Sequence, residues 1–339
     1  MSTPDAPTRT MRAVVQHGYG DADVLGMEQI EVPGPGKGEV LIRVAAAAID
    51  RGTWHLMTGT PKLVRLALGW RGPRGTFVPG RDVAGTVVAL GDGVTRFQVG
   101  DRVFGSAQGS LAEYAVAVEA KLAQQPAGAS PAEAAVLAIS GLTALHAVDA
   151  ARIGKGDRVL VTGASGGVGS YAVQLAAARG AVVTGVCSAA KADAVRRWGA
   201  TTVLDYATCD PTDGDEQYDA VIDIAGGTSL SRMRRVLAPR GTVVFVGAES
   251  GGDWTGGMGR SVGRALRMLF ARQRFVMLTP REKAPADLDR LAQAVTEGTL
   301  VAPVHATHPL AQVRAAMTEL VEGKVVGKVA VTVGGTDRS

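Results

Sequence analysis

Cysteine is scarce in this 339-residue chain, with Cys187 and Cys209 the only two. Two thiols cannot supply a disulfide framework, they fit a reducing cytoplasm, and they limit the metal chemistry open to the protein. Apolar runs are short: none approaches the roughly 20 residues of a membrane span. The opening Met1-Ser2-Thr3-Pro4-Asp5-Ala6-Pro7 lacks the apolar centre of a signal peptide, and residues 1–11 read as a disordered tail. Neither sign of charge dominates, since 36 Lys plus Arg face 32 Asp plus Glu for a net +4. That balance carries no whole-molecule argument for nucleic acid or an acidic membrane, so the expected partner is a small molecule.

Aromatics make up only 4% of the chain while hydrophobic residues make up 46% and glycine 45 positions, a composition suited to Val/Ala-rich strands punctuated by glycine turns. The length suffices for two domains, each with its own core. From Arg12 to about Pro126 short strands alternate with turns, as in Val40-Leu41-Ile42-Arg43-Val44 and Val83-Ala84-Gly85-Thr86-Val87-Val88. From Ser130, a plausible N-cap ahead of Pro131-Ala132-Glu133, the rhythm becomes helix and strand in alternation. The strands there are nearly unbroken apolar runs, as a parallel sheet covered on both faces requires. The expected class is therefore α/β, with a β-rich domain over 12–128 and 300–339 and a doubly wound nucleotide-binding domain over 129–299. The last strand, Lys328-Val329-Ala330-Val331-Thr332-Val333, is expected to rejoin the first domain.

The strongest local signal is Val159-Leu160-Val161-Thr162-Gly163-Ala164-Ser165-Gly166-Gly167-Val168-Gly169. A buried strand feeds a glycine-rich turn that opens a helix, so free N–H groups and the helix dipole face an anion above them. Ala164, Ser165, Gly166, Gly167, Val168 and Gly169 are the candidate pyrophosphate cradle, with Gly166 allowing close phosphate approach and Gly169 close helix–strand packing. NAD-type sites carry an acid about 20 residues on. Here the second strand ends Val186-Cys187-Ser188-Ala189-Ala190-Lys191. A carboxylate ~4 Å from a 2′-phosphate would cost roughly 4 kcal/mol at an effective dielectric near 20, whereas Ser188 offers a donor and Lys191 a charge. The expected cofactor is NADPH. The plainer reading makes Ser188 a turn residue and Lys191 a solvated lysine at a helix start.

Together with Gly80-Arg81-Asp82-Val83-Ala84-Gly85-Thr86-Val87, the run from Gly91-Asp92-Gly93 to Gly100-Asp101-Arg102-Val103, Leu111-Ala112-Glu113-Tyr114, Gly141-Leu142-Thr143-Ala144 and the closing Gly323-Lys324-Val325-Val326-Gly327-Lys328-Val329, this pattern resembles the medium-chain dehydrogenase/reductase superfamily from Arg12 onward. The resemblance implies a GroES-like catalytic domain, a Rossmann domain inserted before the C-terminal return, and an active site in the cleft between them. Zinc alcohol dehydrogenases carry a Cys where this chain has Asp50 and a His where it has Arg81, and the four cysteines of a structural zinc are missing. The chain is thus similar to the zinc-independent branch of quinone oxidoreductases and alkenal or enoyl reductases. The same resemblance places Ile49-Asp50-Arg51-Gly52-Thr53-Trp54-His55 on the nicotinamide and substrate side, makes Thr143 a contact near the nicotinamide and Tyr206 one to the 2′-phosphate, and suggests a homodimer paired along the 275–278 run. Gly247, at the end of the fifth strand, joins the candidate cofactor contacts.

Asp50, Thr53 and His55 are the candidate catalytic residues. His55 could donate or orient a proton, as imidazole side chains commonly do, or it could simply pack. Asp50 could bond the nicotinamide ribose or a substrate hydroxyl, or cap the helix that follows. Asp82 could hold Arg81 or backbone, or touch substrate, and Trp54 could wall a flat acceptor. Without a Lewis acid, unactivated ketones are difficult, while quinones and α,β-unsaturated carbonyls spread the added charge. The expected function is an NADPH-dependent, zinc-independent reductase of such acceptors. The alternatives are an alcohol dehydrogenase with other metal ligands and a silent, crystallin-like NADPH binder. The basic amphipathic stretch 259–274 reads as a lid or crossover, or as a helix lying on a membrane surface.

Overall fold

The computed structural model describes residues 10–60, 62, 65–66, 69–246, 272–279 and 281–334. Gly247 and residues 259–271 of the basic stretch lie outside them, as do residues 1–9 of the expected tail. Thr10 and Met11, assigned to that tail, belong instead to the first strand, where Met11 is buried.

Strands β1 (Thr10–Gln16) and β2 (Leu25–Glu31) form an antiparallel ribbon. A seven-stranded sheet contains β3 (Glu39–Ile49), β4 (Asp82–Leu90), β5 (Arg102–Ser106), β6 (Tyr114–Val118) and β7 (Leu122–Gln124). Its remaining strands, β14 (Val304–Pro309) and β15 (Lys328–Thr332), come from the far end of the chain, and the order is β14-β15-β3-β4-β5-β7 with β6 also on β3. Small residues allow this crowding. In the second half of β3, Ala46, Ala47 and Ala48 pair with β4 on one side and β15 on the other, and all three are buried.

Between β7 and β14 lies the second sheet, made of β8 (Arg158–Thr162), β9 (Val182–Cys187), β10 (Thr202–Asp205), β11 (Tyr218–Asp223), β12 (Leu237–Phe245) and β13 (Arg274–Met277). All neighbours are parallel, in the order β10-β9-β8-β11-β12-β13. That is the doubly wound dinucleotide order, whose direction reverses beside β8 and leaves a crevice above its carboxyl end. Val159, Leu160 and Val161 of β8 are fully buried, as expected of a strand covered on both faces.

Two helices join the sheets. Ser130 opens the short helix α2 (Pro131–Ala135; the earlier helix α1 spans Arg51–Thr58) with a complete capping box, its hydroxyl accepting from the Glu133 amide while the Glu133 carboxylate accepts from the Ser130 amide. The next, α3 (Ala138–Ala151), is buried on nearly every side because it is built of small and apolar residues. At Gly141 an added Cβ would stand 3.1 Å from a Leu291 methyl, so the helix lies close against residues 285–296.

Candidate active site

The glycine turn has the geometry its sequence implies. Gly163 follows β8 with φ +66°, Gly166 is the N-cap with φ −85°, and α4 (Gly167–Ala178) begins there. A Cβ on Gly169 would sit 2.1 Å from the Gly163 carbonyl oxygen, so only glycine lets helix and turn touch. A Cβ on Gly166 would meet nothing nearer than that same oxygen at 3.5 Å, which leaves the space above it for a ligand. Ala164 and Ser165 are buried, the Ala164 amide donating to the Val186 carbonyl at 3.0 Å. Gly167, Val168 and Gly169, at the start of α4, fit a dinucleotide pyrophosphate through their helix-terminal N–H groups, while the amides of Ala164 and Gly166 donate within the turn and its strands. Thr162 and Asp223 brace the crevice: the Thr162 hydroxyl donates to the Asp223 carboxylate at 2.7 Å and accepts from the amides of Ile224 and Ala225.

At the end of β9, Ser188, Lys191 and Tyr206 come together. Register places Asp205 opposite Cys187, and the Tyr206 amide donates to the Cys187 carbonyl, which holds the exposed Tyr206 at the carboxyl end of β9. The Lys191 ammonium is not simply solvated, for it donates to the carbonyls of Gly323 at 2.6 Å and Val325 at 2.8 Å. Partial burial, followed by the Arg51 charge, lowers its pKa against the opposing pull of Cys187. The strap 323–328 also contacts the turn itself, since the Gly327 amide donates to the Ser165 carbonyl at 2.8 Å.

The residues expected to be catalytic lie across the cleft on α1. Asp50 caps that helix, accepting from the Thr53 amide at 2.8 Å and the Thr53 hydroxyl at 3.1 Å, both at Oδ1. The capping reading of Asp50 is therefore realised at one of its two oxygens. The His55 Nδ1 lies 2.8 Å from the Thr60 carbonyl; because a carbonyl only accepts, Nδ1 carries the hydrogen. Trp54 stacks obliquely on His55, centroids 4.8 Å apart, under the Arg51 guanidinium. Thr143 is turned back on its own helix, its hydroxyl donating to the Ile139 carbonyl at 2.7 Å.

Lys328 is the buried cation that the sequence did not single out as a site residue. It opens β15, and because Val329 pairs with Ile49, Lys328 falls beside Asp50; Ala48 in turn pairs with Asp82, the first residue of β4. Three adjacent strand ends thus gather Lys328, Asp50 and Asp82. The Lys328 ammonium donates to Asp82 Oδ2 and stands 3.9 Å from Asp50 Oδ2. Asp82 Oδ1 accepts from the Ile139 amide at 2.8 Å, tying β4 to the start of α3. Burial pushes the Asp82 carboxyl up, with Lys328 opposing and Asp50 reinforcing that rise. Burial also works to raise Asp50, but Lys328, the Thr53 amide and Arg81 together outweigh it and hold Asp50 below the usual carboxylate range. A lysine leading an apolar strand was legible, yet its partner is set by the pairing of Val329 with Ile49, 280 residues apart in sequence.

Arg81 stands on the other side of Asp50 and lines a cavity of about 860 Å³ with Leu56, Phe77, Pro79 and Ser106. Its guanidinium donates to Glu282 Oε1 at 2.6 Å, and Lys121 donates to Glu282 Oε2 at 2.6 Å, so Glu282 clamps the β-rich side to the segment after β13. A zinc ion fits the surroundings of Asp50 poorly: one carboxylate is already compensated by an ammonium and a guanidinium, where zinc needs three or four converging soft or imidazole ligands.

Comparisons with known proteins agree with this geometry. Residues 36–127 match the alcohol dehydrogenase GroES-like domain, 198–331 the zinc-binding dehydrogenase family and 159–236 the NAD dependent epimerase/dehydratase family. The chain is 32% identical to the chloroplast envelope quinone oxidoreductase homolog of Arabidopsis thaliana, over 95% of this chain and 98% of that one. The quinone oxidoreductase structure from Coxiella burnetii superposes with a TM-score of 0.83 at 27% identity, covering 96% of this chain and 100% of its own. A mycobacterial protein solved in complex with NADPH superposes with a TM-score of 0.78 at 26% identity, covering 95% of this chain and 100% of its own. A GroES-like half, a dinucleotide crevice and full-length relatives of one kind converge: the chain belongs to the medium-chain dehydrogenase/reductase superfamily, in its quinone oxidoreductase branch.

Proposed function

We propose that the protein is an NADPH-dependent, zinc-independent reductase of quinones or α,β-unsaturated carbonyl compounds. The observation that carries this reading is the cation-compensated carboxylate at Asp50, flanked by Lys328 and Arg81 where a metal enzyme would need open ligands. A bound nicotinamide supplies the hydride. The protein then has to orient an acceptor and stabilise charge arriving on its oxygen. The 860 Å³ cavity reaches the cluster through Arg81, and its walls at Leu56, Phe77 and Pro79 suit a flat apolar molecule. Conjugation in such an acceptor carries the added charge to an enolate or quinol oxygen, and one proton from water or a cleft side chain completes the reduction. With Nδ1–H held by Thr60, a neutral His55 presents Nε2 as an acceptor, so it delivers a proton only from its imidazolium form.

Ser188, Lys191 and Tyr206 support NADPH over NADH by offering a hydroxyl, an ammonium and a phenol where a carboxylate would repel the 2′-phosphate. NADPH is expected to bind more tightly than NADH, and Lys191→Ala to weaken NADPH selectively by about tenfold, as the loss of one charge-assisted hydrogen bond implies. The checks are nucleotide fluorescence titrations, followed by absorbance of the reduced nicotinamide with a panel of quinones and enals. Equal affinities for the two nucleotides contradict the 2′-phosphate site, no oxidation across the panel favours a silent binder, and near-stoichiometric zinc in the purified protein favours an alcohol dehydrogenase. The proposal includes a homodimer paired along β13, the outer strand of its sheet, where Met277 is exposed. A light-scattering mass of a single chain would remove that part.

A further inference from the structure

Asp50 needs no buried lysine to cap a helix. Ser229 caps its helix through its hydroxyl, and Ser130 does so through its hydroxyl with the Glu133 carboxylate. Behind Asp50, however, stands Lys328, only 1% exposed, with Asp82 equally buried beyond it. Asp50 itself keeps 18% of its side chain exposed, so it is the member of the cluster that reaches the cleft. Its Oδ1 is spent on Thr53, while Oδ2 faces the ammonium at 3.9 Å, outside direct hydrogen-bond range. The Lys328 stem runs under the nucleotide turn: a Cβ on Gly167 would meet its Cγ at 2.9 Å and the Ser140 hydroxyl at 3.1 Å. Gly167, the first residue of α4, therefore makes room for this side chain.

We propose that Lys328 is a positioning residue for hydride transfer, holding Asp50 as a fixed anion that accepts a hydrogen bond from a ribose hydroxyl of the nicotinamide half of the cofactor. This rests on the reading of the cleft as an NADPH site. The charged groups that face Asp50 are Lys328 from β15, Asp82 from the start of β4 and Arg81 from the turn just before it; Thr53 serves it from its own helix, and the nearby Gly167 and Ser140 from α4 and α3 are neutral. Removing the ammonium leaves Asp50 beside Asp82 with Arg81 as its remaining cation, and an opposite charge within about 4–6 Å is worth one to three pH units of carboxyl titration. With Lys328 in place Asp50 stays ionised as the pH falls; without it, Asp50 takes up its proton at a higher pH and loses the bond.

The test compares wild type with Lys328→Met/Asp82→Asn, which removes both charges of the buried pair together while Asn keeps an acceptor for the Ile139 amide. NADPH affinity is followed by nucleotide fluorescence from pH 8 to pH 5, with circular dichroism and a cooperative thermal transition confirming the fold. Wild type and Asp82→Asn, which both retain the lysine, are expected to bind with little dependence on pH. The double variant is expected to lose about tenfold in affinity toward pH 5, which corresponds to an acid limb displaced upward by about two pH units or more, since the burial of Asp50 is no longer offset by the ammonium. Asp50→Asn is expected to bind weakly at every pH. A folded double variant whose profile superposes on that of wild type overturns the proposal and leaves Lys328 a packing residue. If NADPH binding behaves as stated but wild type reduces no quinone or enal, the functional reading fails and the role of Lys328 stands.

Discussion

Gly169→Ala is expected to destabilise the protein by about 3 kcal/mol, the upper end of ordinary overpacking, and to abolish measurable NADPH binding. The added methyl carbon would lie 2.1 Å from the Gly163 carbonyl oxygen and 2.7 Å from Ala164 Cα, both backbone atoms that cannot rotate away. Relief requires α4 to withdraw from the turn, which moves its first N–H groups off the anion site they are aimed at. Gly166→Ala separates binding from folding, because its methyl would meet protein only at an ordinary 3.5 Å. That variant is expected to lose about 1 kcal/mol through the poorer N-cap and to melt cooperatively, yet to bind nucleotide at least roughly tenfold more weakly, since the methyl fills the space a phosphate needs. Thermal unfolding and fluorescence titration of the two variants decide the matter. Normal stability and affinity in Gly169→Ala would contradict the close packing of turn and helix.

Asp82→Ala is expected to cost about 3–5 kcal/mol, the range for breaking one side of a buried ion pair. The substitution strands the Lys328 ammonium with Asp50 at 3.9 Å and removes the acceptor of the Ile139 amide. Replacing the pair together, as Asp82→Leu with Lys328→Met, is expected to recover most of that loss, because no uncompensated charge is left in the interior. Denaturant titrations of the single and paired variants measure the difference. Additive losses, with the paired variant worse than Asp82→Ala, would show that each residue is held by contacts other than the other's charge.

Much of the architecture was legible in the residues. The unbroken apolar strands and the turn at 163–169 implied a parallel sheet with a nucleotide crevice, and Ser130 with Glu133 announced a helix start that the structure completes as a capping box. Those signals are local: periodicity, glycine and capping act within a few residues. The 275–278 run was expected to be an edge strand, and β13 ends its sheet. Lys191 reads differently in three dimensions, since carbonyls from 323 and 325 claim two of its donors. The sequence names the lysine but not the strap that folds over it. The Asp50–Lys328–Asp82 cluster is of the same kind, for it exists only through the pairing of β15 with β3 and of β3 with β4. Asp82 was open between holding Arg81 or backbone and touching substrate; in the structure it holds the Ile139 backbone and Lys328. Long-range register, unlike periodicity, leaves no mark in a short window of sequence.

The return of β15 to the first sheet also sets an order of assembly. Asp50 and Asp82 are synthesised before the nucleotide turn, but the ammonium that joins them follows 246 residues after Asp82. Until it arrives, two carboxylates face each other with no shared counter-charge behind them. A nascent chain can therefore complete its parallel sheet and still lack a finished cleft, which closes only once β15 has been made and has paired with β3.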